Sequence, residues 1–252
     1  MMTERRQKID EYIQEKNEAT LSQLKELVPG VSEMTIRRDL ESLENDGRIV
    51  RVHGGAKSIK SISGFVEDVF SKRSAVNIKR KELIAHKAAQ LVIPESSIYI
   101  DSGSTTMALA MRISDVRLLI TTNGLNVASE LLRLEMPTAY LVGGELSRSS
   151  ISLSGPQALK CVENMNFDTA FIAATAFSEQ AGFTCGSVHD SALKRAVLAR
   201  AKRRIILMDS TKVGSSMPHT FAHPNEIDTF VSDGELPENI TRLFLQNGVE
   251  LL

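Results

Sequence analysis

Residues 31–56 read Val-Ser-Glu-Met-Thr-Ile-Arg-Arg-Asp-Leu-Glu-Ser-Leu-Glu-Asn-Asp-Gly-Arg-Ile-Val-Arg-Val-His-Gly-Gly-Ala. Ser32 is placed to accept from the free N–H groups of a first helical turn. Ile36, Leu40 and Leu43 follow at i, i+4 and i+7, a narrow apolar face. Asp46-Gly47 supplies the left-handed close common just past a helix end. That face leaves Glu33, Thr35, Arg37 and Arg38 on the outer side of the first two turns. Arg48-Ile-Val-Arg51-Val-His53 then alternates charged and β-branched residues as far as Gly54-Gly55, the pattern of a short hairpin. A helix with donors at its exposed N-terminal end, followed by a basic two-stranded wing, is the shape of a DNA reader. A solvated amphipathic helix and hairpin in any small domain would share the pattern.

The residues upstream favour the first alternative. Residues 3–16 predict a helix with Ile9, Tyr12 and Ile13 inward. Thr20-Leu-Ser-Gln23 fits a capping box, and Leu21, Leu24, Leu27 and Val28 form a second short apolar face that Pro29-Gly30 breaks. Two short helices joined by so tight a turn make a helix-turn-helix, the second helix being the one that enters the major groove. One small core is expected among Ile9, Leu24, Leu27, Ile36, Leu40, Leu43 and Ile49.

Charge alone would not point to nucleic acid. The 252-residue chain carries a net charge of −1, and residues 1–60 hold 11 Lys+Arg against 11 Asp+Glu. Residues 48–60, however, contain Arg48, Arg51, Lys57 and Lys60 and no acid, so binding would come from a local patch against phosphates. The composition, 42% apolar and 24% charged, suits a soluble globular protein of one or two domains. The polar N-terminus and the absence of a long apolar run argue against a signal peptide or membrane span. Cys161 and Cys185 make neither metal spacing nor a disulfide framework, so small buried thiols in a reducing cytoplasm are expected. His219 and His223 lie between Pro218 and Pro224 and read as loop histidines, with no metal.

Beyond residue 57 periodicity lapses, and residues 58–76 read as a linker. Asn77 is expected to cap a helix with a stripe of Ile78, Leu83, Ile84, Ala88, Leu91 and Val92; Lys79, Arg80 and Lys81 read as its solvated face. From residue 97 strands alternate with helices. Candidate strands are 97–100, 118–122, 139–142, 170–174, 205–208 and 229–231; candidate helices are 105–113, 125–134, 156–165, 191–201 and 238–246. This order predicts an α/β fold with a mostly parallel, Rossmann-like sheet, whose ligands bind beyond the carboxyl ends of the strands. Three small-residue loops lie at that edge: Asp101-Ser-Gly-Ser-Thr-Thr106, Thr121-Thr-Asn-Gly124 and Val142-Gly-Gly-Glu-Leu-Ser147. The first offers hydroxyls and free N–H groups suited to phosphate, or it is an ordinary Ser/Thr-capped turn. Asp190 and Lys194 stand at i, i+4, by itself an ordinary surface ion pair. Asp209-Ser-Thr-Lys212 could aim Lys212 at an anion in the same cleft.

The stretch Ser32–Leu40 followed by Arg51-Val-His-Gly-Gly-Ala56 resembles the winged helix-turn-helix signature of the DeoR family of bacterial transcriptional regulators. The Asp101–Thr106 loop, Thr121-Thr-Asn123, Gly143-Gly144 ahead of Gly155-Pro156, Ala192-Leu-Lys-Arg195 and Asp209–Lys212 resemble the sugar-phosphate-sensing domain of that family, which is related in fold to ribose-5-phosphate isomerase. The resemblance implies a reader domain over 1–57 and a sensor and oligomerisation domain over 77–252. It implies DNA contacts from Ser32, Glu33, Thr35, Arg37, Arg38, Arg48, Arg51 and His53. It also implies a phosphorylated sugar, its phosphate near Ser102, Gly103, Ser104, Thr105 and Thr106, with Asp101, Asn123, Gly143, Gly144, Asp190, Lys194 and Lys212 around the cleft. A homo-oligomeric repressor of a sugar-metabolism operon, released from operator DNA by that effector, is the expectation, with no cofactor. Two departures bear on the sugar. Ala173-Ala-Thr-Ala176 stands where relatives carry a Gly-Val-Asp-Gly-like segment, and Asp190 stands where a glutamate is common. The rival readings are an aldose-ketose phosphate isomerase, which needs a carboxylate at the carbon acid that Ala173–Ala176 lacks, and an activator on the same scaffold.

Overall fold

The computed structural model describes residues 4–45, 48–52, 54–58 and 68–252. The chain divides into two compact units, Met1–Val66 and Glu67–Leu252. Asp46-Gly47, His53 and residues 59–67 of the expected linker lie outside the described residues.

In the first unit the helices α1 (Glu4–Lys16), α2 (Leu21–Leu27) and α3 (Glu33–Asn45) enclose a small core. Ile9, Ile13, Leu24, Ile36, Leu40, Leu43 and Ile49 are buried there, while Leu27 packs at its margin. The capping box of α2 is complete: the Gln23 N–H donates to Thr20 Oγ1, and the Thr20 N–H to Gln23 Oε1. The wing has three strands where the sequence suggested two. Strand β1 (Glu18–Thr20) pairs antiparallel with β3 (Gly55–Ser58), which pairs in turn with β2 (Ile49–Val52). This pairing explains Gly55, because a Cβ there would stand 2.2 Å from the Ala19 carbonyl oxygen.

The second unit begins with two helices, α4 (Phe70–Ala75) and α5 (Ile78–Ala89), so part of the stretch expected as linker is helical. A seven-stranded sheet follows in the order β15-β14-β12-β9-β4-β5-β6. Its strands are β4 (Ser97–Ile100), β5 (Leu119–Thr122), β6 (Thr138–Leu141), β9 (Phe167–Ala173), β12 (Ala201–Leu207), β14 (Thr229–Val231) and β15 (Glu250–Leu251), and every neighbouring pair is parallel. One face is covered by α5, α6 (Ser104–Ala110) and α7 (Leu125–Leu131), which bury Ile84, Leu109 and Val127 against Ile98, Ile120 and Phe171. The other carries α8 (Pro156–Glu163), α9 (Val188–Ala199) and α10 (Glu238–Gln246), which bury Val162, Val197 and Phe244 against Tyr99 and Ile172. Central strands with apolar side chains on both faces are what a helix-covered parallel sheet requires.

Two small antiparallel pieces flank the sheet. Strands β7 (Glu145–Ser147) and β8 (Ser152–Ser154) form a hairpin. Strands β10 (Ala176–Ser178), β11 (Gly182–Cys185) and β13 (His219–Ala222) form a three-stranded sheet. The latter rests on an aromatic cluster in which Phe177 and Phe183 lie 4.7 Å apart and Phe230 and Phe244 another 4.7 Å apart. His219 is therefore a strand residue, which corrects the loop expectation, whereas His223 opens a short 3-10 turn over Pro224–Glu226. Cys185 is fully buried and Cys161 partly so. Among the described residues no helix is long and apolar enough to cross a membrane, and no group of His, Cys, Asp and Glu could hold a metal ion.

Candidate functional sites

The DNA-facing candidates cluster on α3 and the wing. Ser32 caps α3, accepting the Thr35 N–H at 3.2 Å, and the two hydroxyls sit 2.9 Å apart. Arg37 is tied to Glu33 at 2.8 Å across one turn on the exposed surface. Arg38, also exposed, makes no hydrogen bond or ion pair among the described residues, so its guanidinium is available to a base edge. The two wing arginines are engaged inside the unit. Arg48 Nε donates to Asp10 Oδ2 at 2.7 Å. Arg51 reaches Glu44 through its N–H at 2.9 Å and its Nε at 2.7 Å. The Arg51 backbone and side-chain donors hold the Glu44 carboxyl below its usual range. The Arg48 and Arg51 side chains are 49% and 43% exposed. His53 lies outside the described residues.

Sequence reasoning passed over the two carboxylates that hold this surface together. Asp39 lies inside the signature on α3, is 4% exposed, and accepts from Arg5 Nε at 2.6 Å and Arg5 Nη2 at 3.2 Å. Asp10, 2% exposed, takes Arg48 on one oxygen and Gln14 at 3.1 Å on the other. Each ties α1 to an element that carries DNA-contact candidates, one to α3 and one to the start of β2. Their signal was a lone acid at a buried helical position.

The second cluster lies where β4, β5, β9 and β12 end. Asp101, 1% exposed, forms an ion pair with Lys194 through Oδ2, which also accepts the Ala173 N–H at 3.0 Å. Lys194 Nζ stands 3.4 Å from Asp190 as well. Burial opposes the charge on Lys194, but Asp101 and Asp190 outweigh it and raise its pKa above the usual lysine value. This buried arrangement corrects the expectation of an ordinary surface pair. Asp101 Oδ1, Thr105 Oγ1 and Asn123 Oδ1 are buried with no hydrogen-bond partner among the described residues. Asn123 is fixed from its other end, its Nδ2 donating to the Leu153 carbonyl at 3.1 Å. Gly103 is required by contact, since a Cβ there would meet Ala173 Cβ at 2.3 Å. Ser102, Ser104 and Thr106 are buried beside it, with Thr106 Oγ1 donating to the Gly103 carbonyl at 2.8 Å.

A cationic flank adjoins this group. Lys212 Nζ donates to the Ala174 carbonyl at 3.3 Å and lies 4.0 Å from Asp209 Oδ2. Asp101 and Lys212 thus grip adjacent residues of one segment, Ala173 by its N–H and Ala174 by its carbonyl. Lys81 on α5 is the residue that sequence reasoning misplaced. It is 5% exposed, and its Nζ donates to the Val76 carbonyl at 2.5 Å and to the Arg73 carbonyl. Burial, and then the nearby Lys212 charge, lower its pKa to about 8. Arg80 is likewise not solvated, for it donates to Ser210 Oγ at 2.9 Å and pairs with Asp233 and Glu235. A signal was present: Lys81 precedes Ile84, Ala85 and Ala88 by three, four and seven residues, which puts it on the buried stripe. Asn77, expected to cap α5, makes no side-chain cap; it adopts a left-handed conformation with φ 55° and reaches Asp209 Oδ1 at 3.3 Å and Thr211 Oγ1 at 2.9 Å.

Gly143 and Gly144 follow β6 and are exposed, and no hydrogen bond joins them to this cluster among the described residues. Gly144 answers to the β7–β8 hairpin, because at its φ of +130° a Cβ would press on the Ser154 carbonyl at 2.3 Å. The assembled group can therefore do two things chemically. It can receive hydrogen-bond donors at Asp101 and Asn123, and it can receive an anion near Lys81 and Lys212.

Comparison with known proteins agrees with both halves. Residues 5–62 match the model of the DeoR-like helix-turn-helix domain, and residues 76–234 match the DeoR C terminal sensor domain. The HTH-type transcriptional regulator GolR of Listeria innocua is 33% identical over 98% of this chain and 96% of its own. A putative aga operon transcriptional repressor of Escherichia coli is 32% identical over 99% of this chain and 93% of its own. Among solved structures, the ribose 5-phosphate isomerase A of Methanocaldococcus jannaschii aligns with 54% of this chain and 55% of its own, at 16% identity and a TM-score of 0.41, a likeness too distant to bear on ligand or reaction.

Proposed function

The chain belongs to the DeoR family of DNA-binding transcriptional regulators, and from that premise we propose that it represses a sugar-metabolism operon and leaves its operator when a phosphorylated sugar binds the second unit. The observation that carries the effector reading is the buried cluster at the carboxyl edge of the sheet. Three oxygens there, on Asp101, Thr105 and Asn123, lack partners among the described residues, beside two lysines on one flank. A buried polar atom left without a partner costs roughly 1–3 kcal/mol, so a site that retains three is built to be completed by a ligand. Sugar hydroxyls suit Asp101 and Asn123, and a phosphate suits Lys212, Lys81 and the hydroxyls of Ser102, Ser104 and Thr105. Lys194, which also lies 3.4 Å from Asp190, pairs with Asp101 and fixes its Oδ2. The isomerase alternative is not retained, since the relatives are named regulators.

On this reading residues 1–57 are the reader, 58–76 the connection and 77–252 the sensor. Within the reader, Ser32, Thr35 and Arg38 meet the major groove, Glu33 orients Arg37, and Arg48, Arg51 and His53 approach the backbone, which positions without specifying. Met34, 63% exposed in the first turn of α3, is suited to a thymine methyl. The chain works as a homo-oligomer, because paired readers match palindromic operators. The effector acts to the extent that it binds one arrangement of readers better than the other.

The test is a titration of pentose and hexose phosphates, with the parent sugars as controls, read by calorimetry and by operator release in a gel-shift assay. At least one phosphorylated sugar should bind and release the operator while its unphosphorylated parent does neither. If every phosphorylated sugar leaves operator binding unchanged, or the parent sugars act equally well, the effector assignment fails.

A further inference from the structure

The two edges of the seven-stranded sheet are finished differently. At one end β15 has two residues, and its Glu250 carboxylate is held by Arg203 at 2.7 Å and Thr229 Oγ1 at 3.0 Å. Short length and inward-tied charge are the usual means of keeping an edge from pairing. At the other end β6, Thr138-Ala-Tyr-Leu141, has no charge, no proline and no bulge, and every residue of it is exposed.

Its hydrogen-bonding pattern says more. The Thr138 N–H donates to the Leu118 carbonyl at 2.9 Å and the Val142 N–H to the Thr122 carbonyl at 2.9 Å. In a parallel ladder alternate residues face one neighbour, so 138, 140 and 142 face β5. Ala139 and Leu141 therefore turn their N–H and carbonyl groups outward, where they find no partner among the described residues. The side chains add an apolar rim: Tyr140 is 49% exposed, Leu141 42%, and Leu119, which pairs with Thr138 from β5, 49%.

We propose that β6 is the self-association surface of the sensor unit, pairing antiparallel with β6 of a second copy about a twofold axis at Tyr140. A second copy is the occupant that fits because the strand is complementary to itself in that sense alone. With Tyr140 opposite the partner's Tyr140, Ala139 of each chain lies opposite Leu141 of the other. All four outward N–H groups and all four outward carbonyls across the two strands are then satisfied in two hydrogen-bonded pairs. The two Tyr140 side chains meet in the close, non-hydrogen-bonded position, with Cβ atoms about 4.5–5.5 Å apart. The two sheets become one continuous sheet, and Leu141 is covered beside the axis by the partner's Ala139. An isologous, uncharged core is also what obligate homodimers present. The inference rests on the homo-oligomer reading above and names its surface.

Full-length protein tests it. Wild-type protein, Tyr140→Asp and Tyr140→Cys, the last in a Cys161→Ser background, are compared by sedimentation and by non-reducing electrophoresis after mild oxidation. Tyr140→Asp places like charges on the axis, yet the side chain is exposed in the single chain, so circular dichroism and thermal unfolding of the monomer should be retained. The wild type should sediment as a dimer or larger, Tyr140→Asp should fall to half that mass, and most Tyr140→Cys should run as a covalent dimer. A wild-type mass unchanged in Tyr140→Asp, with no cross-link in Tyr140→Cys, overturns the surface and leaves the homo-oligomer reading standing. A wild type that remains monomeric at every concentration overturns both.

Discussion

Both units of this protein bury aspartates, and the two pairs are treated in opposite ways. In the reader, Asp10 and Asp39 have partners on both carboxylate oxygens. In the sensor, Asp101 Oδ1 and Asp209 Oδ2 have no hydrogen-bond partner among the described residues, although their other oxygens are fully engaged. A carboxylate satisfied on both sides is a fastening, whereas one satisfied on a single side is fixed in place with its second oxygen in reserve. On the proposed effector reading, the contrast separates scaffold from site without reference to which loops they lie on.

The severest test of this contrast is Lys194→Met. It leaves the buried Asp101 without its main counter-ion, which should cost about 3–5 kcal/mol of sensor stability, measured by denaturant unfolding with the reader transition as internal reference. A loss near zero would mean that Asp101 tolerates burial unpaired, and the distinction between the two aspartate pairs would collapse. Lys212→Ala comes next. It should weaken effector binding by about 1.5–3 kcal/mol, the value of a hydrogen bond to a charged group, while operator affinity in the absence of effector stays unchanged. A mutant that is induced normally would remove the cationic flank from the site.

On the reader side, Arg38→Ala should weaken operator binding by about 1–3 kcal/mol with little change on random DNA. Equal losses on both DNAs would return Arg38 to the backbone-contacting group. The smallest effect expected is a pH dependence. Lys81 has its pKa lowered to about 8, so a bound anion would favour its charged form and effector affinity should fall as pH rises through that value. Phosphate itself has finished its second ionisation by then, its pKa being about 6. The sign for stability is the reverse. The unfolded chain keeps Lys81 protonated to a higher pH than the folded chain does, so this group adds stability as pH rises between about 8 and the ordinary lysine value of about 10.4. Calorimetry at pH 7 and pH 9, with Lys81→Met as the control that should lose the dependence, checks both.

Much of the fold could be read in advance because its elements announce themselves locally. The strands at 97–100 and 229–231, the helix at 238–246 and the Thr20 capping box are where periodicity and cap chemistry put them. What escaped notice depends on partners far away in sequence. Strands β7, β8, β10 and β11 have three or four residues each, too few to show a period, and are held by pairing and by the phenylalanine cluster, with a register shift between Phe183 and Thr184. The reader's third strand is another such piece. In the site, the loops at Asp101 and Asp209 were legible because small polar residues after a strand are distinctive. Lys81 and Asn77 were not, because a lysine beside two other basic residues looks solvated until the stripe through Ile84 and Ala88 is given precedence.

Asn77 also bears on how this protein could be engineered. Its left-handed backbone is one that glycine adopts at no steric cost, so Asn77→Gly would keep the turn while raising the entropy lost on folding. That change would also cut the latch from α5 to Asp209 and Thr211. One residue thus both shapes the turn and ties it to the Asp209 loop, and Asn77→Gly would separate the two roles.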